Sequence, residues 1–461
     1  MESLLQRADT TRLNTIASTN TEVRQKYAQF LTPPQTAQLA VNMFSDSDTP
    51  LKCLDLGAGT GMLSSALYAR YGNRITRLDA FEKDSLLAQI CARELTQISV
   101  QHKVYNCDVL IEQPKDKYHR IILNPPYKKM AADDWRAALL PARTPNMYSA
   151  FVMLAIQQLE PFGECVAIIP RSWMNGQYFA TFRKWILENA SIDTMHVYGS
   201  RSEIFSDTDV LQETMLVRFS KRKQVTKITI STSDTKQEQP VQESFLANSL
   251  IDNEDDLKII RIAPDNNLAH LPRRLGTSGF CPSTGKIVDF RSRKILRKEA
   301  SDGCVPLLYP CNFSQGVCLH PVKSDKAQWL FTDCDKTKKL LTQPGDYVVV
   351  KRFSAKEETR RVKAFPLHVD KPLALENHLN FIHGGTPRTV TPLEPEIVKG
   401  LCLWLNSTVI DDWFRGLSGS TQVNACDIKR MPVPSNQQLV ALSAKWKPSL
   451  TQGEIDELCG R

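Results

Sequence analysis

Apolar positions in the first half of the chain follow two alternating patterns. Short runs at 52–56, 77–81, 119–123, 164–169 and 214–219 are largely apolar and are bounded by Gly, Pro, Asn or charged residues. That pattern predicts buried strands. Between them, stretches at 63–71 and 179–188 carry apolar residues at helical spacing. Upstream, residues 35–44 read as a further helix, with Leu39, Ala40 and Met43 on one face and Pro34 just before its start. Strands alternating with helices predict an open α/β sheet covered on both faces.

Beyond residue 221 the pattern changes. Residues 221–224 are basic or amide, and 231–243 are rich in Thr, Gln and acids. The chain then shows irregular strands and many prolines, with little helix before Glu394. A domain boundary is expected here, giving an α/β domain over 1–225 and a mixed α+β domain over 226–461.

Composition narrows the class. A length of 461 residues suits two or three domains at roughly 100–200 residues each. With 42% hydrophobic and 23% charged residues, the chain is not predominantly disordered. No apolar run approaches the roughly 18 residues of a membrane helix. The N-terminal residues lack the basic-then-apolar order of a signal peptide, so an intracellular protein without a membrane partner is expected. The 12 cysteines are scattered and read as reduced thiols. Cys304, Cys311 and Cys318 recur every seven residues, unlike the short pairs of zinc sites, so no metal site is expected. The net charge of +8 permits a polyanionic partner without requiring one.

Two motifs carry chemistry. The first is Asp55-Leu56-Gly57-Ala58-Gly59-Thr60-Gly61, between a strand and a helix. Glycines there let a ligand approach the backbone at a helix N-terminus. Glu82 ends the next strand, where an acid can accept both hydroxyls of a ribose, and Asp108 follows a third strand. The spacing differs from the dinucleotide fingerprint. A methyl donor, another nucleotide and a purely structural turn all remain open on this motif alone.

The second motif is Asn124-Pro125-Pro126-Tyr127 at a strand end. Two prolines fix the backbone and remove two donors. The Pro125 carbonyl and the Asn124 side-chain oxygen can then face one amino group, and Tyr127 offers a face to a planar ring. This suits methylation of an exocyclic or amide nitrogen. The alternative is a rigid turn with Tyr127 as packing.

Together these residues resemble the gamma-class adenine-N6 DNA methyltransferases of restriction–modification systems, of the TaqI and PstI type. The resemblance covers most of the chain. Residues 27–34 resemble the first motif of that class, and 168–176 its strand and loop beside the active site. Stretches at 283–291, 351–358, 376–380, 405–407 and 418–424 also resemble PstI-like enzymes. The resemblance implies a Rossmann-like S-adenosylmethionine-dependent methyltransferase domain followed by a target-recognition domain. It implies that Thr32 helps hold the donor's carboxylate, Glu82 its ribose and Asp108 its adenine, around Asp55, Gly57, Ala58, Gly59 and Gly61. Asn124, Pro125, Pro126 and Tyr127 would hold a flipped adenine of double-stranded DNA, with Phe205 packing against it. The partners implied are double-stranded DNA and, functionally, a cognate restriction endonuclease. The chain is expected to act as a monomer in a bacterial cytoplasm.

Two basic stretches in the second half, Arg273 to Lys298 and Lys351 to Lys363, are expected to meet phosphates. The same tetrapeptide also serves methyltransferases acting on RNA or on a protein glutamine amide. About 240 residues after Lys221 argue against those. The intact motifs argue against a non-catalytic DNA-binding protein on a relict fold.

Overall fold

Strand β1 (Leu51–Leu56) is flanked by two parallel neighbours, β2 (Ile75–Glu82) and β4 (Tyr118–Leu123), with Leu54 opposite both Asp79 and Ile121. The chain runs outward from β1 through β2 to β3 (His102–Asn106), then returns to β4 on the other side of β1. The order reverses between β1 and β4, which opens a crevice at their carboxyl ends. Four more strands complete the path beyond β5 (Leu159–Pro170): β6 (Ser191–Tyr198), β7 (Thr214–Ser220), β8 (Lys227–Ser233) and β9 (Val241–Leu246). The nine-stranded sheet has the order β3-β2-β1-β4-β5-β7-β6-β8-β9. Strand β7 is antiparallel to both its neighbours. This computed structural model describes residues 3–18, 30–131, 133–199, 214–235, 238–252, 256–265, 268, 271, 273–332, 334–355 and 357–460.

Strand pleating sends neighbouring residues to opposite faces. Ile122, Val166 and Ile168 pack against α2 (Pro34–Asn42) and α3 (Met62–Tyr71), beside α1 (Leu4–Ser18) and α4 (Ser85–Leu95). Their neighbours Ile121, Leu123, Ala167 and Ile169 face α5 (Met147–Gln157) and α6 (Ala180–Asn189). Residues 147–156 of α5 are all buried, so this helix is core rather than amphipathic cover. Each fully buried Leu or Ile contributes roughly 1.5–3 kcal/mol, which fixes the strand ends that carry the motifs.

The chain divides into two compact units, Met1–Pro264 and Asp265–Arg461. Strands β8 and β9 extend the sheet of the first unit. Strand β8 pairs parallel to β6 and buries Ile228 and Ile230. Strand β9 is held by its ladder to β8 and is exposed over most of its length, so no apolar alternation marks it.

The second unit carries an antiparallel sheet of β10 (Cys281–Thr284), β11 (Gly345–Lys351), β12 (Ala364–Val369) and β13 (Leu379–Thr386), in the order β10-β13-β11-β12. Tyr347, Val349, Phe365, Leu367 and Phe381 form its core. Helices α7 (Pro395–Leu405), α8 (Thr408–Leu417) and α9 (Asn436–Ser443) follow, in line with a helix-poor stretch before Glu394.

The two basic stretches differ in burial. Arg291, Arg293, Lys294, Arg297 and Lys298 are exposed. In the other, Arg361 is buried and donates to Ser354 Oγ, while Arg360 donates to the Asn406 carbonyl. Arg361 is thus held inside the unit, and Arg360 is half-buried. Arg273 and Arg274 are likewise turned toward Ser278 and Asp265. Among the described residues, no cluster of His, Cys, Asp or Glu is arranged to hold a metal. No helix among them is long and apolar enough to cross a membrane.

Candidate active site

The glycine turn leaves β1 at Leu56 with Gly57, Gly59 and Gly61 at φ +79°, +58° and +90°. Side chains are strained there, which explains the glycines. The N–H groups of Gly57 and Ala58 donate to the Phe81 carbonyl at 2.9 and 3.0 Å, tying the turn to the end of β2. Glu82 braces the same turn. Its Oε2 accepts from Gly59 N–H at 2.8 Å and its Oε1 from Asp84 N–H at 2.8 Å. Burial pushes the Glu82 carboxyl above its ordinary pKa.

Asp55 sits beneath the turn, fully buried. Its Oδ2 accepts from the N–H and the hydroxyl of Ser64 at 3.0 and 2.8 Å, anchoring the start of α3. Its Oδ1 is buried without a hydrogen-bond partner. Burial above all pushes this carboxyl up to about 7. Gly61 stands at the N-cap of α3, where a Cβ would lie 3.2 Å from Cys91 Sγ.

The tetrapeptide leaves β4 beside this turn. Asn124 Nδ2 donates to the Phe30 carbonyl at 2.7 Å and to Thr32 Oγ1 at 3.0 Å. The Tyr127 hydroxyl donates toward Asn124 Oδ1 at 3.2 Å and Ile168 O at 3.1 Å. Its ring packs 5.5 Å from Phe30 and stands nearly perpendicular to Tyr148 at 6.3 Å. Burial raises the Tyr127 hydroxyl well above the ordinary phenol range, so it stays protonated.

A cavity of about 530 Å³ opens at the β1/β4 crevice. Thr32, Gly57, Ala58 and Gly59 line it, and so do Glu82 and Asp108. Asn124 and Pro126 line the same space. Asp55, Gly61, Pro125 and Tyr127 lie close to these lining residues in the chain and are not themselves part of the lining. Phe205 and residues 27–29 of the first motif lie outside the described residues.

Sequence reasoning does not find the partners of Asp108. Its Oδ2 accepts from Lys83 Nζ at 3.0 Å and Arg136 Nη1 at 2.8 Å, and its Oδ1 from Leu110 N–H at 3.1 Å. Burial alone would raise this carboxyl, but the two cations and the backbone donor outweigh it and hold it below its ordinary pKa. Arg136 also grips Asp134 through Nε and Nη2 at 2.9 and 2.6 Å. The charged run 133–136 is the one signal of this in the sequence.

A strand order that reverses at β1/β4, a three-glycine turn there and an acid ending β2 form a nucleotide-type site that S-adenosylmethionine fits. The buried, unpartnered Asp55 Oδ1 and the acceptors around the cavity fit that cationic donor. The model of the Eco57I restriction-modification methylase family matches residues 51–205. The Type II methyltransferase M.PstI of Providencia stuartii is 32% identical, over 95% of this chain and 92% of its own. M.BsuBI of Bacillus subtilis is 34% identical, over 97% and 94%. The chain therefore belongs to the family of Type II DNA methyltransferases of restriction–modification systems. Among solved structures, the type IIL restriction-modification enzyme MmeI in complex with DNA shares the fold at TM-score 0.56 and 11% identity. It covers 88% of this chain and 69% of that one. The DrdV–DNA complex does so at TM-score 0.52 and 13% identity, over 96% and 59%.

Proposed function

We propose that this enzyme methylates N6 of an adenine rotated out of double-stranded DNA. The observation that carries this is the tetrapeptide opening onto the same cavity as the glycine turn. S-adenosylmethionine supplies an electrophilic methyl group on a sulfonium. The protein's part is therefore mostly positioning and electrostatics. Asn124 Oδ1 and the Pro125 carbonyl accept the two hydrogens of the adenine amino group and orient its lone pair toward the methyl. Pro126 holds that carbonyl in place. Tyr127 stacks on the base, and Phe205 takes its other face. Stacking of this kind is worth roughly 1–3 kcal/mol per base and offsets part of the cost of rotation. Glu82 binds the donor's ribose and Thr32 its carboxylate. Asp55 lies under the turn and meets the donor's ammonium. Asp108 receives the donor's adenine. Gly57, Ala58, Gly59 and Gly61 admit the donor close to the backbone.

Residues up to about 225, with the strands that extend the sheet, form the catalytic domain. The remainder recognises the DNA target, with the exposed cations at 291–298 on phosphates. The enzyme acts as a monomer in the cytoplasm and protects its sites from a separate cognate endonuclease. Transfer of labelled methyl groups to DNA, RNA and protein in parallel tests the substrate class. Label on RNA or on a glutamine amide would move the assignment to those N-methyltransferases.

A further inference from the structure

An asparagine amide has an oxygen that accepts and a nitrogen that donates, and the two ends have nearly the same shape. If Asn124 is to hold an amino group, only one orientation works. The flipped amide would present N–H to N–H and bind nothing. The Pro125 carbonyl is fixed by its backbone, whereas the Asn124 amide must be set by something else.

We propose that the Phe30 carbonyl and Thr32 set it, and that Thr32 is a positioning residue for methyl transfer. This rests on the reading of Asn124 as the acceptor for the target amino group. Both hydrogens of Asn124 Nδ2 are engaged, at 2.7 Å on Phe30 O and 3.0 Å on Thr32 Oγ1. A flipped amide would bring its oxygen against the Phe30 carbonyl oxygen. Thr32 is only 5% exposed, so water does not readily replace it. The opposite end of the amide, Oδ1, already meets a donor in the Tyr127 hydroxyl, which marks it as the accepting side. The segment that does this is itself held on the glycine turn, where a Cβ on Gly59 would lie 3.0 Å from Leu31 Cδ2. The donor turn and the acceptor asparagine are thus registered by three consecutive residues.

A hydroxyl that only binds the donor's carboxylate would change donor affinity. A hydroxyl that orients Asn124 changes turnover once donor is saturating. The full-length protein, S-adenosylmethionine and unmethylated duplex DNA carrying the modified site separate these roles. Thr32→Val keeps the side-chain shape and removes the acceptor. Turnover at saturating donor and DNA should fall about tenfold, as expected for one missing hydrogen bond. Donor Kd is measured separately, because Thr32 also holds the donor's carboxylate, and the fall in turnover is read only at saturating donor. Thr32→Ser should restore turnover. Unchanged turnover in Thr32→Val, or a loss confined to donor Kd, overturns the proposal. If Thr32→Val does not fold, Asn124→Asp gives the second test. Its ionised carboxylate has no hydrogen for the Phe30 carbonyl. An aspartate ordinarily titrates at about 3.9, so the carboxylate stays ionised in the assay and turnover should fall at least about tenfold. Wild-type turnover in Asn124→Asp, which keeps an acceptor but has no hydrogen for the Phe30 carbonyl, contradicts the proposal. An active Asn124→Ala would instead remove the underlying reading of Asn124, whatever Thr32 does.

Discussion

Tyr127 donates its hydroxyl to Asn124 Oδ1 across 3.2 Å, so a neighbour in the same tetrapeptide covers the acceptor that transfer requires. The same hydroxyl lies 3.1 Å from the Ile168 carbonyl and can keep that bond when an amino group arrives. Displacement at Oδ1 is therefore inexpensive. Tyr127→Phe keeps the ring and should hold kcat within about threefold, because the net worth of one such bond is small. Tyr127→Ala removes the stacking face and should cost about tenfold or more. Steady-state kinetics on duplex DNA check both, and equal losses would refute the division of roles.

Glu82 uses both carboxylate oxygens on backbone donors of the turn, at Gly59 and Asp84. Glu82→Gln turns one acceptor into a donor facing an N–H. Hydrogen bonds to a charged group are worth about 1.5–3 kcal/mol, so donor Kd should rise by about ten- to a hundredfold. Calorimetric titration with S-adenosylmethionine reads this directly. A wild-type Kd would show that the turn does not depend on the acid.

Asp55 gives a pH signature. Its folded pKa of about 7 lies above the ordinary value of about 3.9 for an unfolded aspartate. Between those values the folded state binds more protons than the unfolded one. This group therefore lowers stability as pH rises from about 4 to about 7, and the effect levels off above that. Asp55→Asn removes the titration. Its thermal midpoint relative to wild type, measured without donor, should climb across that window. Parallel midpoint curves would contradict the burial argument.

The cations at 291, 293, 294, 297 and 298 are exposed, whereas Arg361 is internal. Replacing Arg293 and Lys294 together by alanine should weaken DNA binding across all sequences. It should also reduce the salt slope by about one for each phosphate that the two side chains neutralise. Arg361→Ala should instead lower the thermal midpoint. Fluorescence anisotropy over a salt series, beside a melting scan, distinguishes the two sets.

The central strands and both motifs are legible in the sequence because buried parallel strands are largely apolar and the carboxyl ends of β1 and β4 lead into the glycines and prolines. Strand β9 is not, because its ladder to β8 holds it without burial. The pairing of Asn124 with Thr32, 92 residues apart, leaves no periodic trace in sequence. Asp55 reads from its motif as a donor-binding acid, but its position under the turn follows from Ser64, a residue with no motif of its own. The partners of Asp108 come from loop residues whose chemistry emerges only once Lys83 and Arg136 converge.

The most direct measurement is to methylate duplex DNA with this protein and tritium-labelled donor, digest the DNA, and separate its nucleosides. The account predicts label in N6-methyldeoxyadenosine alone, and none when Asn124→Ala replaces the wild type. Label in a cytosine derivative, or undiminished labelling by Asn124→Ala, would contradict it.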